Sequence, residues 1–403
     1  MGKIKVLSSK VYNRIAAGEV VDRPYSIVKE LVENSIDAGA ENISIDILNG
    51  GISSIEITDD GCGMDREDIV TSIKAHATSK VSKTSDLDAI KTLGFRGEAL
   101  ASIASVTKLS IASKTQENQI GNRLYTEGGE DVTVEECGIN KGTKITVNNI
   151  FFNTPAREKF LRTERSEEGE ISSVVAKFIL SNPNIAFKYT ANNKLVLQSF
   201  GDGIESAMVQ VFGSNILKDC FYIDTEKNGI KINGYIGKHY FTKGNRSHQF
   251  MFLNNRTIVN QTISMAIANA YSSYIMRGRF PFYVLNLTVP TEIVDVNVHP
   301  NKLDVRFSSS NQIIYSTIYS IISKVLDGSS EAINIISNPS ESSEIMPDIT
   351  QKPSSNNTQN KQDFFDSLIF NDIINDQNVD KNKKIDNANQ PTKEDIFKEN
   401  KAP

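Results

Sequence analysis

Between residues 23 and 40 apolar side chains recur at helical spacing. Ile27, Val28, Leu31, Val32 and Ile36 line one face of RPYSIVKELVENSIDAGA, as a period near 100° per residue requires. Pro24 suits the first helical turn, where its missing N–H is no loss. Gly39 stands just past the end, where a left-handed residue is favoured. Glu30, Asn34 and Asp37 share a narrow polar edge, continued by Glu33 and Lys29. Beyond the helix the period changes to two. Ile43, Ile45 and Ile47 alternate with other residues, Asn49-Gly50-Gly51 supplies a hairpin turn, and Ile55 and Ile57 return as the partner strand. That strand ends in Asp59-Asp60-Gly61-Cys62-Gly63-Met64, and Asp65 is placed to cap a helix running to about Lys74.

Residues 75–97 show no periodicity and are rich in Ser, Thr, Lys and Gly. Loops of that length inside a compact domain are usually lids or binding loops. A helix is expected over 98–105, strands over 109–112, 131–135 and 143–147, an amphipathic helix over 166–180 and a strand over 185–190. A second unit starts near Ile204. It holds strands at 230–236, 249–253 and 282–289, a helix at 261–274, a segment at 294–300, a short strand at 304–307 and a final helix at 311–326. Strands and helices in this order, joined by antiparallel hairpins, give an α+β chain of two sandwiches. From about Gly328 the sequence turns to Ser, Asn, Asp, Gln and Lys. Such a composition cannot bury enough apolar surface to offset its ordering entropy, so 328–403 reads as a disordered linker or tail.

Charge sharpens this division. Residues 1–203 hold 24 basic and 28 acidic side chains, residues 204–328 hold 12 and 8, and the tail 8 and 13. A basic segment within an acidic chain points to a polyanion surface on the second unit. Cys62, Cys137 and Cys220 are far apart, without the paired spacing of a zinc site or a disulfide framework. The opening MGKIKVLSSK lacks the apolar core of a secretory signal. No run of 18 apolar residues occurs, so no membrane span is expected and the protein reads as cytoplasmic.

Three short words have chemical meaning. Glu30 and Asn34, one turn apart, can act on a water and on a hard cation, since Mg²⁺ takes oxygen ligands and keeps its waters. Asp59-x-Gly61-x-Gly63 sets a carboxylate at a strand end, where it can accept the exocyclic amino proton of adenine while the glycines admit the ring. Gly94-x-x-Gly97 opens a helix with bare N–H groups suited to an anion. Taken singly, these are a solvated helix edge, a tight turn and a flexible loop. Neither a Walker A lysine motif nor a GxGxxG is present, which sets aside P-loop and dinucleotide-binding folds.

The order of these words carries more than any one of them. RIAAGEVVDRPYSIVKELVENSIDAGA (14–40), DDGCGM (59–64), HATSK (76–80), GFRGEALASI (94–103), FFNTPAREKFL (151–161) and DVNVHPNKLDVRF (295–307) resemble the gyrase, Hsp90, histidine-kinase and MutL (GHKL) ATPase superfamily. Among its branches they are most similar to the MutL mismatch-repair family, over about residues 4–327. The resemblance implies an N-terminal GHKL (Bergerat-type) ATPase α/β sandwich at 1–203. A second α/β domain at 204–327 would resemble the ribosomal protein S5 domain 2-like fold. It implies ATP and Mg²⁺ as cofactors, with Glu30 as the general base and Asn34 as the Mg²⁺ ligand. Asp59 would read adenine with Gly61, Gly63, Met64 and Thr143 around it, and Asp37 on the same wall. Thr78, Ser79 and Lys80, with Gly94, Phe95, Arg96, Gly97, Glu98, Ala99 and Leu100, would form the lid and phosphate cradle. Lys302 would reach the γ-phosphate from the second domain. The strand at 15–21 would latch an ATP-dependent homodimer.

Implied partners are DNA, a MutS-type mismatch recogniser and a downstream nuclease or helicase, with nucleoid association during repair and no membrane. Candidate DNA contacts are Lys238, Arg256, Arg277 and Arg279, with Lys243 and Arg246 beside them and Arg157 and Arg162 nearer the first domain. Two alternatives stay open at this point: the ATPase subunit of a type II topoisomerase, and a non-hydrolysing scaffold. Asn254-Asn255-Arg256 departs from the family's usual Asn-Gly-Arg, and Asn tolerates positive φ next best after Gly. Asp60 replaces the usual Asn and would add charge near the pocket. The family continues into a C-terminal dimerisation domain, in many members with a nuclease motif. No such motif is present here, so the chain reads as a fragment or a truncated protein.

Overall fold

The computed structural model describes residues 18, 20–79, 97–289, 294–295, 306–307 and 311–328, with backbone alone at 294–295 and 306–307. The opening pattern gives helix α1 (Pro24–Asp37) and the hairpin β1 (Asn42–Leu48) and β2 (Ser54–Asp59). The connecting turn is a 3₁₀ segment whose Gly50 has φ +64°. A Cβ there would stand 2.4 Å from the Glu164 carbonyl, so only glycine lets the hairpin approach the helix that starts at that residue. Helix α2 (Arg66–Ser72) begins as expected, with Asp65 Oδ1 accepting from Asp68 N–H at 2.8 Å, but ends two residues early. Helix α3 (Ala99–Val106) leads into strands β3 (Lys108–Lys114), β4 (Gly121–Glu127), β5 (Glu130–Cys137) and β6 (Gly142–Asn148). The short α4 (Pro155–Glu158) and long α5 (Glu164–Ser181) precede β7 (Ala186–Ala191) and β8 (Lys194–Phe200).

These eight strands form one sheet in the order β5-β4-β3-β6-β2-β1-β7-β8. Every pair is antiparallel except β1 with β7. One face is a continuous floor of Ile43, Ile45, Ile47, Ile55, Ile57, Ile111, Val147 and Phe187, all buried. The helices lie on that floor. The other face carries Asp46, Glu56, Lys144 and Thr146, with Lys144 Nζ 2.6 Å from Glu56 Oε1. A sheet apolar on one side only makes a two-layer sandwich, and the alternation seen in the sequence records it.

Helix α6 (Ile204–Phe212) packs on β8 and α5 and carries the core across to the second sheet. That sheet is built from β9 (Cys220–Lys227) and β10 (Ile230–Gly237), with β12 (Gln249–Leu253), β13 (Arg256–Thr257) and β15 (Tyr283–Thr288). Their order is β13-β12-β15-β10-β9. Strands β11 (Thr242–Lys243) and β14 (Phe280–Pro281) pair as a separate ribbon. Both faces of the second sheet are covered. Phe250 and Phe252 join the first core beneath α6, while Met251 and Leu253 join a second core under α7 (Gln261–Ala270) and α8 (Asn311–Leu326). Phe212 sits edge-on to Phe250 and Phe282, at centroid distances of 5.6 and 5.1 Å. The bridging pair β16 (Val294–Asp295) and β17 (Arg306–Phe307) completes the elements. The Asn254-Asn255 turn keeps its shape, with both residues at positive φ, +48° and +66°.

Strands β4, β8 and β9 are absent from the sequence expectations. Their outward positions are largely polar and charged, so the two-residue period is weak. The helix expected to reach residue 274 stops at Ala270 and continues as turns. The 15–21 latch, apart from residues 18, 20 and 21, the tail beyond 328, and Lys80, Gly94, Phe95, Arg96 and Lys302 all lie outside the described residues.

One buried carboxylate ties α1 to α5. Glu167 is fully buried, and its Oε1 accepts from Arg23 Nη1 and from the Arg162 backbone N–H, each at 2.9 Å. Removing one partner of such a pair leaves the other uncompensated. Glu167→Ala is therefore expected to cost about 3 kcal/mol, read as a lower urea midpoint at unchanged slope.

Candidate functional site

The site is assembled where the C-terminal end of α1 meets the end of β2. Helix α1 turns its polar edge away from the floor, which sets Glu30, Glu33, Asn34 and Asp37 side by side. Lys29 sits among them, its Nζ 3.0 Å from both Glu30 Oε1 and Glu33 Oε1. Burial works against the Lys29 ammonium, but Glu33 and Glu30 outweigh it and hold its pKa above the ordinary value. Lys29 therefore stays charged and pins the Glu30 carboxylate, whose side chain keeps 26% of its surface exposed.

Asp59 closes β2, in register with Ile43 on one side and Thr143 on the other. It is 9% exposed. Its Oδ2 accepts from the Ser35 hydroxyl at 2.7 Å and its Oδ1 from the Gly61 N–H at 3.0 Å. Burial raises its pKa, while the Ser35, Gly61 and Thr143 donors pull the other way and lose. The following turn is glycine by necessity. A Cβ on Gly61 would stand 2.9 Å from Ala38 Cβ, and one on Gly63, at φ +74°, would stand 2.1 Å from the Lys114 carbonyl. The Cys62 N–H donates to the Ala38 carbonyl at 2.9 Å, which staples the turn to the end of α1.

A buried hydroxyl organises the far wall. Ser113 Oγ accepts from the Met64 N–H at 2.8 Å and donates to the Gly142 carbonyl at 2.9 Å, with Thr143 Oγ1 also at 2.9 Å. Met64 and Thr143 are thereby fixed beside Asp59. Asp60 adds its negative charge beside the pocket, as its sequence position suggested, and helps to raise the Asp59 pKa, but it does not line the pocket. Its carboxylate turns outward and accepts from Glu41 N–H at 2.8 Å, Asn42 N–H at 2.9 Å and Asn42 Nδ2 at 2.7 Å. Burial opposes them, but the Asn42 and Glu41 donors hold its pKa below the usual carboxylate value.

Of the expected lid, the two stems are described. Thr78 and Ser79 are exposed, and Glu98, Ala99 and Leu100 open α3 half-buried. Gly97, at φ +61°, lies so close to Ala77 that a Cβ would stand 2.5 Å from its carbonyl oxygen, and His76 Nδ1 is 3.4 Å from Glu98 Oε1. The stems therefore meet at one point.

The expected DNA contacts divide. Arg277 and Arg279 are exposed on the second unit, near the β11–β14 ribbon. Lys238 lies 5.6 Å from the Phe221 ring centre, Lys243 5.0 Å from Phe241 and Arg246 5.2 Å from Phe280. Arg256 is placed differently. It is half-buried in β13, which packs against α5, and burial lowers its pKa while the carboxylates of Glu33 and Asp37 on α1 support its charge. A guanidinium desolvated among carboxylates is not presented to a phosphate backbone.

Sequence reasoning missed Ser35, Ser113 and the role of Lys29. Ser35 interrupts the buried side of α1 with a small polar group, and Ser113 does the same on β3. A lone buried hydroxyl in an apolar pattern was the available signal.

Two family profiles match the chain. "Histidine kinase-, DNA gyrase B-, and HSP90-like ATPase" covers residues 23–138, and "DNA mismatch repair protein, C-terminal domain" covers 208–327. The DNA mismatch repair protein MutL of Caldanaerobacter subterraneus subsp. tengcongensis is 44% identical over 327 residues, which is 81% of this chain and 55% of that protein. The MutL of Clostridium perfringens is 41% identical over 79% of this chain and 48% of its own length. The chain thus spans about half the length of the curated relatives it matches. Among solved structures, the N-terminal domain of a DNA repair protein is 26% identical, with TM-score 0.67 over 80% of this chain and 99% of that one. The Aquifex aeolicus MutL ATPase domain complexed with ADP shares the fold at 22% identity, with TM-score 0.54 over 74% of this chain and 98% of that one.

The raised pKa of Asp59 fixes the sign of a stability effect. A carboxyl that holds its proton more tightly when folded binds more protons in the native state, so its ionised form is a net cost above that pKa. Asp59→Asn is expected to raise the melting temperature of the nucleotide-free protein by a few degrees at neutral pH. The gain should shrink as the pH falls through the raised Asp59 value. Differential scanning calorimetry across that range checks both points.

Proposed function

Because the chain belongs to the MutL family of DNA mismatch repair proteins and carries the GHKL ATPase fold, we propose that it binds and slowly hydrolyses ATP to gate DNA during mismatch repair. The observation that carries this reading is a single helix, α1, that presents Glu30 and Asn34 on one edge and supports Asp59 through Ser35. Purine recognition and hydrolysis then share one support. Adenine fits the end of β2, where Asp59 accepts from its exocyclic amine and the bare backbone of Gly61 and Gly63 admits the ring. Asp37 shares the wall of this pocket. Glu30 takes the proton of the attacking water, and Lys29 holds its carboxylate in place meanwhile. The Asn34 amide oxygen, with phosphate oxygens, suits Mg²⁺, which when bound supplies charge neutralisation at the phosphates. The stems at Thr78–Ser79 and Gly97–Leu100 would flank a lid, to which the family resemblance also assigns Lys80, Gly94, Phe95 and Arg96.

We further read 1–203 as the ATPase domain, 204–327 as a transducer that supplies Lys302 to the γ-phosphate, and 328–403 as a linker. The segment at 15–21 would latch a second protomer when ATP is bound. A MutS-type recogniser and a downstream nuclease or helicase are the partners this role calls for. The second domain offers DNA a surface of Lys238, Lys243, Arg246, Arg277 and Arg279 interleaved with Phe221, Phe241 and Phe280. Cations spread over aromatic faces read phosphate rather than base sequence. Among the described residues no helix is long and apolar enough to cross a membrane.

Glu30→Ala should bind ATP within a few-fold of the parent while turnover falls about 10²–10⁴-fold, as read by calorimetry and phosphate release. Parent-like turnover would remove Glu30 from this role. Replacing Arg246 and Arg279 together by Ala should flatten the slope of log affinity for duplex DNA against log salt by about two. Arg256→Ala should leave that slope unchanged.

A further inference from the structure

Ser35 belongs to neither the apolar face of α1 nor its acidic edge. It is 3% exposed, and its Oγ lies 2.7 Å from Asp59 Oδ2 and 3.2 Å from the Leu31 carbonyl. A hydroxyl has one proton, and the shorter, charge-assisted bond takes it. The other carboxylate oxygen already accepts from the Gly61 N–H at 3.0 Å. Asp59 thus carries a fixed donor on each oxygen before any ligand arrives. Both bonds favour the ionised carboxylate and leave a lone pair on each oxygen free to accept a further donor.

We propose that Ser35 is a positioning residue that keeps Asp59 a hydrogen-bond acceptor and so sets the pocket's preference for adenine over guanine. The inference rests on the ATP reading of the site. Adenine presents an amino donor where guanine presents a carbonyl acceptor. A carboxylate held as an acceptor pairs with the first and is left against a second acceptor by the other. Sites built on such a buried polar partner discriminate strongly, because the wrong ligand leaves the partner unpaired. Burial pushes the Asp59 carboxyl up, the neighbouring Asp60 charge adds to it, and Ser35 is the foremost of the donors opposing it, ahead of the Gly61 and Thr143 backbone. Without that donor the neutral acid is populated at higher pH, and a neutral acid can donate to the guanine carbonyl.

The test uses the full chain, with ATP and GTP competing separately against a fluorescent ATP analogue between about pH 5 and pH 8. Ser35→Ala is expected to weaken ATP about tenfold and GTP little, so the preference narrows. The pH midpoint below which ATP binding is lost should rise. Ser35→Thr, which restores the hydroxyl, should return both toward the parent. Ser35→Cys, a weaker donor of similar size, should fall between and serves if the alanine variant does not fold. A parent-like ATP-to-GTP ratio with an unmoved midpoint in Ser35→Ala overturns the proposal. So does an equal loss of both nucleotides without a midpoint shift, the mark of a merely structural residue. A parent protein that binds no ATP instead overturns the ATP reading on which the proposal rests. Parent binding with an unaltered Ser35→Ala overturns the proposal alone.

Discussion

A carboxylate removed from water at the end of a strand is the constraint around which this fold is arranged. Asp59 stands where burial penalises its charge, and the surrounding chain supplies donors that offset only part of the cost. A desolvated, preoriented acceptor loses little further hydration when a donor arrives, which is what recognition of an amino group requires. Several local features follow from keeping it there. Gly61 lies against Ala38 so that its N–H can reach Oδ1, Cys62 is stapled to the same residue, and Ser113 gathers Met64 and Thr143 into the far wall. Asp60 next door is spared a similar penalty because it turns to the surface and caps the start of β1.

The second unit is bound to this arrangement through its packing. Its sheet has no free face: Phe250, Phe252 and Phe282 share the core of α6 with the first sheet, while the opposite face is covered by α7 and α8. An interface made of interdigitated aromatic rings has few stable arrangements, since packed cores shift between discrete states rather than deforming smoothly. Arg256 sits at this seam, among the carboxylates of α1. A cation from the second unit thereby contributes to the electrostatics of the same helix edge that holds Glu30 and Asn34.

Much of this was legible in the residues. Alternation in 43–57 gave β1 and β2, the capping carboxylate of Asp65 gave the start of α2, and 249–253 and 311–326 fall where the pattern places them. The Glu30, Asn34 and Asp59 constellation was visible as an ordered set of words. What escaped was whatever depends on contacts distant in sequence. Strands β4, β8 and β9 take their pairing from neighbours, and their own alternation is too polar to announce them. Arg256 looked like a surface cation because its positive neighbours are close in sequence, whereas its acidic neighbours are more than two hundred residues away. Ser35 and Ser113 looked like interruptions of apolar runs, because a hydroxyl's partner cannot be read from its own segment.

The placement of Ser35 directly after Asn34 on a rigid α1 has a consequence for how such a protein can change. On the proposed reading, one helix would support both the identity check on the base and the groups that act on the phosphates, so the two could not drift independently. A substitution that relaxed the choice of purine by moving α1 would also misplace Glu30 and Asn34 by a comparable amount. Tolerance of the wrong nucleotide would then come with loss of turnover. Under that reading, the choice of nucleotide and its turnover would be linked mechanically through α1.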